Sequence, residues 1–352
     1  MRSFLIVIAA GAVAAFSTAA AAATPGPLHD SLFYCDEGLD HGATGAVTDA
    51  EHTIVVGDRP LPANVHRFRM NVDGISTPVM EAGPPDASEA VVFVHGNPGS
   101  SRDFDQLVSA TGKFARAVAF DMPGLGHADD PAGGPYTTDG AAHFIDGMLA
   151  GLGITQADMV LHDFGGPWGL QWASQHSDRL KSVVLIDTGV LLGYIGHPSA
   201  LEWHTPTVGE LNMATTTRQT FDVALQAQNP KPLPFDFVNR MYDDYDRATR
   251  CADLHYYRDI SNPDSLGRAQ AAVLSRRPRP ALVMWGRDDP YVPSSLAEKQ
   301  EQAFPDAEVH VIPDAGHWPY VDFPQTVQDL VIPFLRRVTA SGQPGAGGRA
   351  SR

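Results

Sequence analysis

The chain has 352 residues, 43% of them apolar, and a formal net charge of −16 at pH 7. This length is sufficient for one large α/β domain that carries an insertion. The negative charge argues against nucleic acid and against an anionic membrane surface as partners. No spacing resembles HExxH or another metal motif, so we expect neither a metal nor a cofactor.

Residues 1–23 have the pattern of a secretory signal peptide. Arg2 precedes an apolar stretch at residues 4–16, and small residues follow up to Ala23. No other segment has enough consecutive apolar residues to span a membrane. We therefore expect a secreted or cell-envelope protein with no stable membrane insertion once the signal is removed.

An irregular N-terminal extension is predicted at residues 24–60, which are rich in Pro, Gly, Asp and His. It contains Cys35, and the other cysteine of the chain is Cys251. Export would place both in a compartment that permits disulfides. The sequence leaves open whether they are bridged, because pairing depends on the distance between their Cα atoms.

Regular strands and helices follow the extension. A hairpin comes first, with strands at 65–70 and 75–80 joined by a turn at 71–74. Further short strands alternate with helical stretches and are predicted at 91–94, 117–120, an apolar run ending in His162, 183–186, 281–284 and 309–312. Apolar strands that alternate with helices indicate a mostly parallel sheet covered on both faces.

One interval is far longer than a crossover helix requires. Roughly 95 residues separate the strand at 183–186 from the next one. This stretch predicts an inserted helical cap at 190–278, which divides the core into 61–189 and 279–340. The Gly- and Ser-rich tail, 341–352, is predicted to be disordered.

Short polar motifs follow the predicted strands, at the sheet edge where open α/β sheets bind ligands. They are His95-Gly96-Asn97-Pro98, Asp121 to Gly126, Asp163 before Gly165-Gly166, Gly286 to Asp289, and Gly316-His317-Trp318. A strand that turns sharply into a helix would lift Asp163 out of the sheet edge. A carboxylate there is ionised at neutral pH and can attack carbon to form an ester.

In their order along the chain, these motifs resemble the α/β-hydrolase superfamily over residues 65–338. The resemblance is greatest to the branch with an aspartate nucleophile, which contains epoxide hydrolases and haloalkane dehalogenases. It implies that Asp163 attacks an sp³ carbon and that His317 then activates water to hydrolyse the ester. It also implies that Asp289 orients His317, and that the backbone N–H groups of Asn97 and Phe164 hold the oxyanion.

Two positions leave alternatives open. The spacing from Gly286 favours Asp289 over Asp288 as the acid, while Asp187, after the strand at 183–186, is another place from which some dehalogenases supply it. Leu161 stands where the sharp turn usually has a small residue. We therefore expect the local crowding to be relieved elsewhere.

The residues expected around the leaving group favour two different reactions, halide release and epoxide opening. Asn97 fits the halide-binding pattern of dehalogenases, but Phe164 has no side-chain N–H where they commonly have tryptophan. Residues 255–259 resemble the aromatic-Tyr-Arg segment of epoxide hydrolases, in which Tyr257 would donate a proton. Tyr194 is the candidate for a second lid tyrosine.

Tyr242 and Tyr245 are further candidates for that second tyrosine. The leading prediction is a secreted epoxide hydrolase that converts an epoxide to a vicinal diol. The alternatives are a haloalkane dehalogenase, an ester or lactone hydrolase on the same fold, and a non-catalytic secreted binding protein. The expected partners of the enzyme are a small apolar organic substrate and water, because residues 190–275 are rich in apolar and aromatic side chains.

Overall fold

The computed structural model describes Cys35, residues 60–131 and residues 133–341. The predicted signal peptide, most of the extension and the tail beyond residue 341 lie outside the described residues. Within the described part, no helix is both long and apolar enough to cross a membrane.

Eight strands form one sheet, in the order β1-β2-β4-β3-β5-β6-β7-β8. They are β1 His66–Val72, β2 Ile75–Ala82, β3 Glu89–Val94, β4 Ala117–Phe120, β5 Gln156–His162, β6 Leu180–Ile186, β7 Ala281–Gly286 and β8 Glu308–Ile312. Strand β2 is antiparallel to β1 and β4, and the other pairs are parallel. The predicted α/β fold is therefore confirmed.

The N-terminal hairpin has a tighter turn than predicted. Strand β1 continues to Val72, which pairs with Ile75, so only Asp73 and Gly74 form the loop. Their φ angles are +53° and +87°. Two-residue loops with positive φ match the twist of paired strands, which explains why β1 extends further than its apolar pattern suggested.

The helices fall into three groups. Three precede the insertion: α1 Asp105–Thr111, α2 Thr138–Gly151 and α3 Gly165–Gln175. Five lie within it and are called the cap: α4 Pro198–His204, α5 Val208–Thr215, α6 Arg218–Gln228, α7 Phe235–Asp243 and α8 Arg247–Asp259. Three follow: α9 Pro263–Leu274, α10 Pro319–Asp322 and α11 Pro324–Ser341. Short 3-10 helices lie at Ser101–Phe104, Ser294–Leu296 and Glu298–Gln302.

The two faces of the sheet are covered by different helices. Helices α1 and α11 pack together on one face, and α2, α3 and α9 pack on the other. Gln270 on α9 donates to the carbonyl oxygen of Pro167 at 2.9 Å. Although α9 falls within the predicted cap range, it packs on the core, so the part of the insertion that covers the site ends near Ile260.

A disulfide joins Cys35 to Cys251, whose Cα atoms lie 5.4 Å apart. The two cysteines are therefore bridged, which the sequence had left open. Because Cys251 lies on α8, the bond ties the N-terminal extension to the cap.

The crowding expected from Leu161 is relieved by a glycine on the neighbouring helix. Leu161 is fully buried. A Cβ atom at Gly169 on α3 would lie 2.4 Å from Leu161 Cδ2, so a larger residue there would force the buried leucine side chain to shift.

Candidate active site

Asp163 lies at the turn from β5 to α3 with a φ of +48°. This left-handed conformation is uncommon for a residue with a Cβ atom and is typical of functional sites. A Cβ atom at Gly96 would lie 2.3 Å from the Cβ of Asp163. Glycine at this position therefore lets the loop after β3 approach the aspartate closely.

Two groups contact the carboxylate of Asp163. The backbone N–H of Asn97 donates to Oδ1 at 2.7 Å. The Nε2 atom of His317 lies 3.4 Å from Oδ2. Phe164 directly precedes α3, where backbone N–H groups have no partner within the helix.

Opposite charges determine the ionisation of this pair. Burial would raise the pKa of Asp163, but the hydrogen bond and charge of His317 outweigh it and lower this pKa to about 2. Burial would likewise lower the pKa of His317, but the carboxylates of Asp289 and Asp163 raise it well above its usual value. Asp163 is therefore ionised at neutral pH beside an imidazolium.

Asp289 supports His317 from the other side of the ring. Its Oδ2 lies 2.8 Å from Nδ1 of His317. Its Oδ1 accepts from the backbone N–H groups of Tyr291 and Val292 at 2.8 and 3.0 Å. Asp288, its competitor in the sequence, is exposed.

Asp187, the other candidate acid, lies next to this pair. It is fully buried, and its Oδ1 accepts from the backbone N–H of Gly286 at 2.8 Å. Burial and the neighbouring carboxylate of Asp289 raise the pKa of Asp187 well above its usual value. Burial and the charge of Asp289 thus favour the neutral form of Asp187, and Asp289 is the carboxylate bonded to the histidine.

Asp187, Asp289 and His317 also form a group that could offer three metal ligands, with one atom from each lying within 4.8 Å of the others. However, Asp187 Oδ1 already accepts from the backbone N–H of Gly286, and Asp289 Oδ2 is bonded to Nδ1 of His317. The donor set fits a hydrogen-bonded triad better than a metal site.

Tyr257 enters the site from cap helix α8. Its ring packs against Phe164 and Trp203, with ring centroids 4.7 Å apart in each pair. Its hydroxyl oxygen lies 3.2 Å from Nε2 of His197. His197 directly precedes α4, and the sequence analysis did not single it out.

The hydrogen bonds of His197 fix its tautomer. Its Nδ1 accepts from the backbone N–H of Ala200 at 3.2 Å. Burial lowers the pKa of His197 to about 4, so the ring is neutral at pH 7 and its proton is on Nε2. That N–H therefore donates to the oxygen of Tyr257 and leaves the tyrosine proton free for a ligand.

The other predicted tyrosines are engaged elsewhere. Tyr194 donates its hydroxyl proton to the carbonyl oxygen of Tyr291 at 2.8 Å. This proton is therefore not available to a substrate, contrary to the prediction for a second lid tyrosine. Tyr242 stacks under the Arg218 guanidinium, 4.5 Å from the ring centroid. The partner of Tyr257 is therefore a histidine, three residues after Tyr194. The sequence signal was the pair His197-Pro198, which has the pattern of a helix N-terminus.

Taken together, the site has an ionised carboxylate, a histidine held by a second carboxylate, and a tyrosine proton supported by a neutral histidine. A cavity of about 260 Å³ adjoins it and is lined in part by Tyr194, His197 and Tyr291. Such an arrangement can attack an electrophilic carbon, protonate a leaving oxygen and activate water.

Residues 91–330 match the model of the alpha/beta hydrolase family, and the chain belongs to that family. It is 26% identical over 286 residues to the cis-3-alkyl-4-alkyloxetan-2-one decarboxylase of Xanthomonas campestris, covering 75% of this chain and 93% of that protein. It is 29% identical over 280 residues to a 2-hydroxy-6-oxononadienedioate/2-hydroxy-6-oxononatrienedioate hydrolase of a Pseudomonas species, covering 74% and 91%. The chain is an α/β-hydrolase enzyme.

Solved structures share the fold. A haloalkane dehalogenase from Bradyrhizobium elkani superposes with a TM-score of 0.70 at 18% identity, covering 79% of this chain and 99% of that one. The Cif epoxide hydrolase from Acinetobacter nosocomialis superposes with a TM-score of 0.69 at 17% identity, covering 78% and 90%.

Proposed function

We propose that this chain is an exported epoxide hydrolase with Asp163 as its nucleophile. One observation carries the proposal: Tyr257, whose hydroxyl is paired with His197, lies within reach of the charge of Asp163. An epoxide needs both groups at once, because its carbon must be attacked while its oxygen is protonated.

In the first step, Oδ2 of Asp163 attacks a ring carbon and the C–O bond of the epoxide breaks. The ring oxygen takes the hydroxyl proton of Tyr257, and the N–H of His197 stabilises the tyrosinate. Oδ1 becomes the ester carbonyl oxygen and keeps its hydrogen bond from the backbone N–H of Asn97. The product of this step is a hydroxyalkyl ester of Asp163.

Ester formation also prepares the second step. It removes the charge of Asp163, one of the two carboxylates that raise the pKa of His317. The pKa of His317 therefore falls, the imidazolium releases its proton to solvent, and the neutral ring can take a proton from water. Asp289 stabilises the imidazolium that results.

The water oxygen then adds to the ester carbon of Asp163. The oxyanion on Oδ1 is held by the backbone N–H groups of Asn97 and Phe164. When the intermediate collapses, the departing alkoxide takes the proton from His317 and becomes the second hydroxyl of the diol. The remaining proton of the water restores Tyr257, Asp163 is again a carboxylate, and His317 regains its resting proton from solvent.

A halide is the less favoured leaving group. A dehalogenase binds the departing anion with N–H donors, and the phenyl ring of Phe164 has none. The cap instead brings the hydroxyl of Tyr257 within reach of the charge of Asp163, and this hydroxyl suits an oxygen that accepts a proton.

Strained cyclic esters are a second candidate class. They are favoured by the similarity to a relative named for an alkyl-substituted oxetan-2-one. Asp163 would attack the sp³ ring carbon that carries the ester oxygen. The bond between that carbon and the oxygen would break and release a carboxylate. Tyr257 would then donate a hydrogen bond to that carboxylate.

A matched substrate panel tests the proposal. The purified protein is incubated with a terminal epoxyalkane, the bromoalkane of the same chain length and a dialkyl oxetan-2-one, and diol, bromide and acid are measured. We expect diol from the epoxide and none from an Asp163→Asn control. Bromide release without diol would make the chain a dehalogenase, and no turnover of any substrate would favour a binding protein.

Export is also part of the proposal. It rests on the pattern of residues 1–23 and on the Cys35–Cys251 bond, since disulfides persist in oxidising compartments. Expression with fractionation, followed by mass spectrometry of the mature N-terminus, tests it. The expected product lies outside the cytoplasm and begins near Thr24; a cytoplasmic, full-length product would contradict export.

A further inference from the structure

Cap helix α8 carries a second polar group towards the site. Asp253 lies one helical turn before Tyr257, so the two side chains share a face of α8. The negative charge of Asp163 acts on the Asp253 carboxyl, and so does the Asn97 amide. Asp253 is therefore within electrostatic reach of the nucleophile and interacts with the loop that carries Asn97.

The hydrogen-bonding state of Asp253 is unusual. Its side chain is buried, with a relative exposure of 1%. Neither carboxyl oxygen has a well-aligned hydrogen-bond partner among the described residues, and the same holds for Oδ1 of the neighbouring Asn97. Native proteins rarely leave such groups unsatisfied, because each costs free energy when it is removed from water.

The charge state follows from the surroundings. Burial, as the largest effect, raises the pKa of Asp253 well above its usual value, and the Asp163 carboxylate raises it further. Weak hydrogen-bond contributions from the Asn97 amide and the Tyr245 hydroxyl, and the charge of Arg250, act in the opposite direction but are outweighed. Burial therefore favours the neutral acid, which has one O–H donor as well as acceptor oxygens.

On the basis of the proposed function, we propose that Asp253 and Asn97 Oδ1 form a polar subsite for an epoxide with a hydroxyl on the carbon next to the ring. A hydroxyl both donates and accepts, so it can satisfy an acceptor oxygen of the subsite and the O–H of Asp253. An epoxyalkane without this hydroxyl would leave both groups unsatisfied. The preferred substrates are then epoxy alcohols.

Two substrates and two variants test the subsite. The substrates are an epoxy alcohol with its hydroxyl next to the ring and the matched epoxyalkane that has hydrogen in its place. The wild type is expected to favour the alcohol by about 10- to 100-fold in kcat/KM. Asp253→Leu should reduce that ratio to about one, and Asp253→Asn, which keeps a donor and an acceptor, should retain most of it.

Thermal unfolding supplies a readout that does not depend on activity. Asp253→Leu removes an unsatisfied buried group at similar volume, so its Tm should rise by about 2–6 °C. A lower Tm would indicate a structural role for the carboxyl and would overturn the inference.

The outcomes separate this inference from the proposed function. Turnover of both epoxides with no preference for the alcohol, or an equal loss on both in Asp253→Leu, would overturn the subsite alone. Failure of both epoxides to react or to form an ester on Asp163 would overturn the proposed function and the subsite with it.

Discussion

Nε2 of His197 lies 3.2 Å from the hydroxyl oxygen of Tyr257, and the backbone N–H of Ala200 fixes the tautomer in which that nitrogen carries the proton. The tyrosine oxygen thus accepts a hydrogen bond from the cap and keeps its own proton to donate. This relationship assigns the proton donor of the proposed reaction to Tyr257.

The first prediction concerns that donor. Tyr257→Phe should lower kcat for epoxides by about 10²–10⁴-fold with little change in KM, because the leaving oxygen loses its acid. Tyr194→Phe is the matched control, since its hydroxyl is bonded to a backbone carbonyl, and it should cost less than about tenfold. Unchanged epoxide turnover in Tyr257→Phe would remove this residue from the mechanism.

The second prediction concerns pH. Asp163, with a pKa of about 2, stays ionised at pH 5, so ester formation should continue there. His317 must be neutral to activate water, and a lower pH protonates it. The fraction of enzyme present as the Asp163 ester, measured by rapid quench and mass spectrometry, should therefore rise as the pH is lowered from 8 to 5. A fraction that falls with pH would contradict the assigned roles.

The third prediction separates the two buried acids. Asp289→Asn should lower kcat by about 10⁴-fold, because His317 loses the carboxylate that fixes its tautomer. Asp187→Asn should cost much less, since an amide resembles the neutral acid at that position. Asp288→Asn, on the surface, is the control for mutation in this loop. The reverse order of losses would make Asp187 the orienting acid.

The fourth prediction concerns stability. Burial raises the pKa of Asp158 on β5 to about 6, although its Oδ1 accepts from Ser182 at 2.6 Å. The folded protein therefore holds this proton more tightly than the unfolded chain, and stability decreases as the pH rises from about 4 to 6.

Asp158→Asn cannot ionise, so it avoids this decrease in stability. Its free energy of unfolding should match the wild type at pH 4 and exceed it by roughly 3 kcal/mol at pH 7.5. Asp306→Asn, at an exposed position, should change little at either pH. Denaturant unfolding of the three proteins measures the difference, and an Asp158→Asn variant less stable than wild type at pH 7.5 would contradict it.

The sequence predicted the features that depend on local pattern. Apolar runs at β3 to β7 mark strands buried on both faces, whereas β8 is a partly exposed edge strand. Turn residues after these strands mark the edge where Asp163 and His317 meet. The hairpin was also predicted, although its turn was expected to begin two residues too early because Asn71 is a common turn residue.

Features that depend on the packing of the cap could not be predicted. Tyr194 and His197 are three residues apart in an irregular segment, and only the tertiary structure directs His197 at Tyr257. Asp253 likewise looks like an ordinary polar residue of a helix until its neighbours are known. The relief of Leu161 by Gly169 was not predicted because it depends on the contact between β5 and α3.

The central claim, that Asp163 attacks carbon, is tested most directly by trapping its ester. A His317→Gln variant lacks the base for the second step, so after incubation with an epoxide the peptide that contains Asp163 should gain the mass of one substrate molecule. The same experiment with Asp163→Asn added to His317→Gln should give no adduct. Diol formation by the wild type with no adduct on Asp163 in His317→Gln would show that water attacks the epoxide directly and would contradict the account.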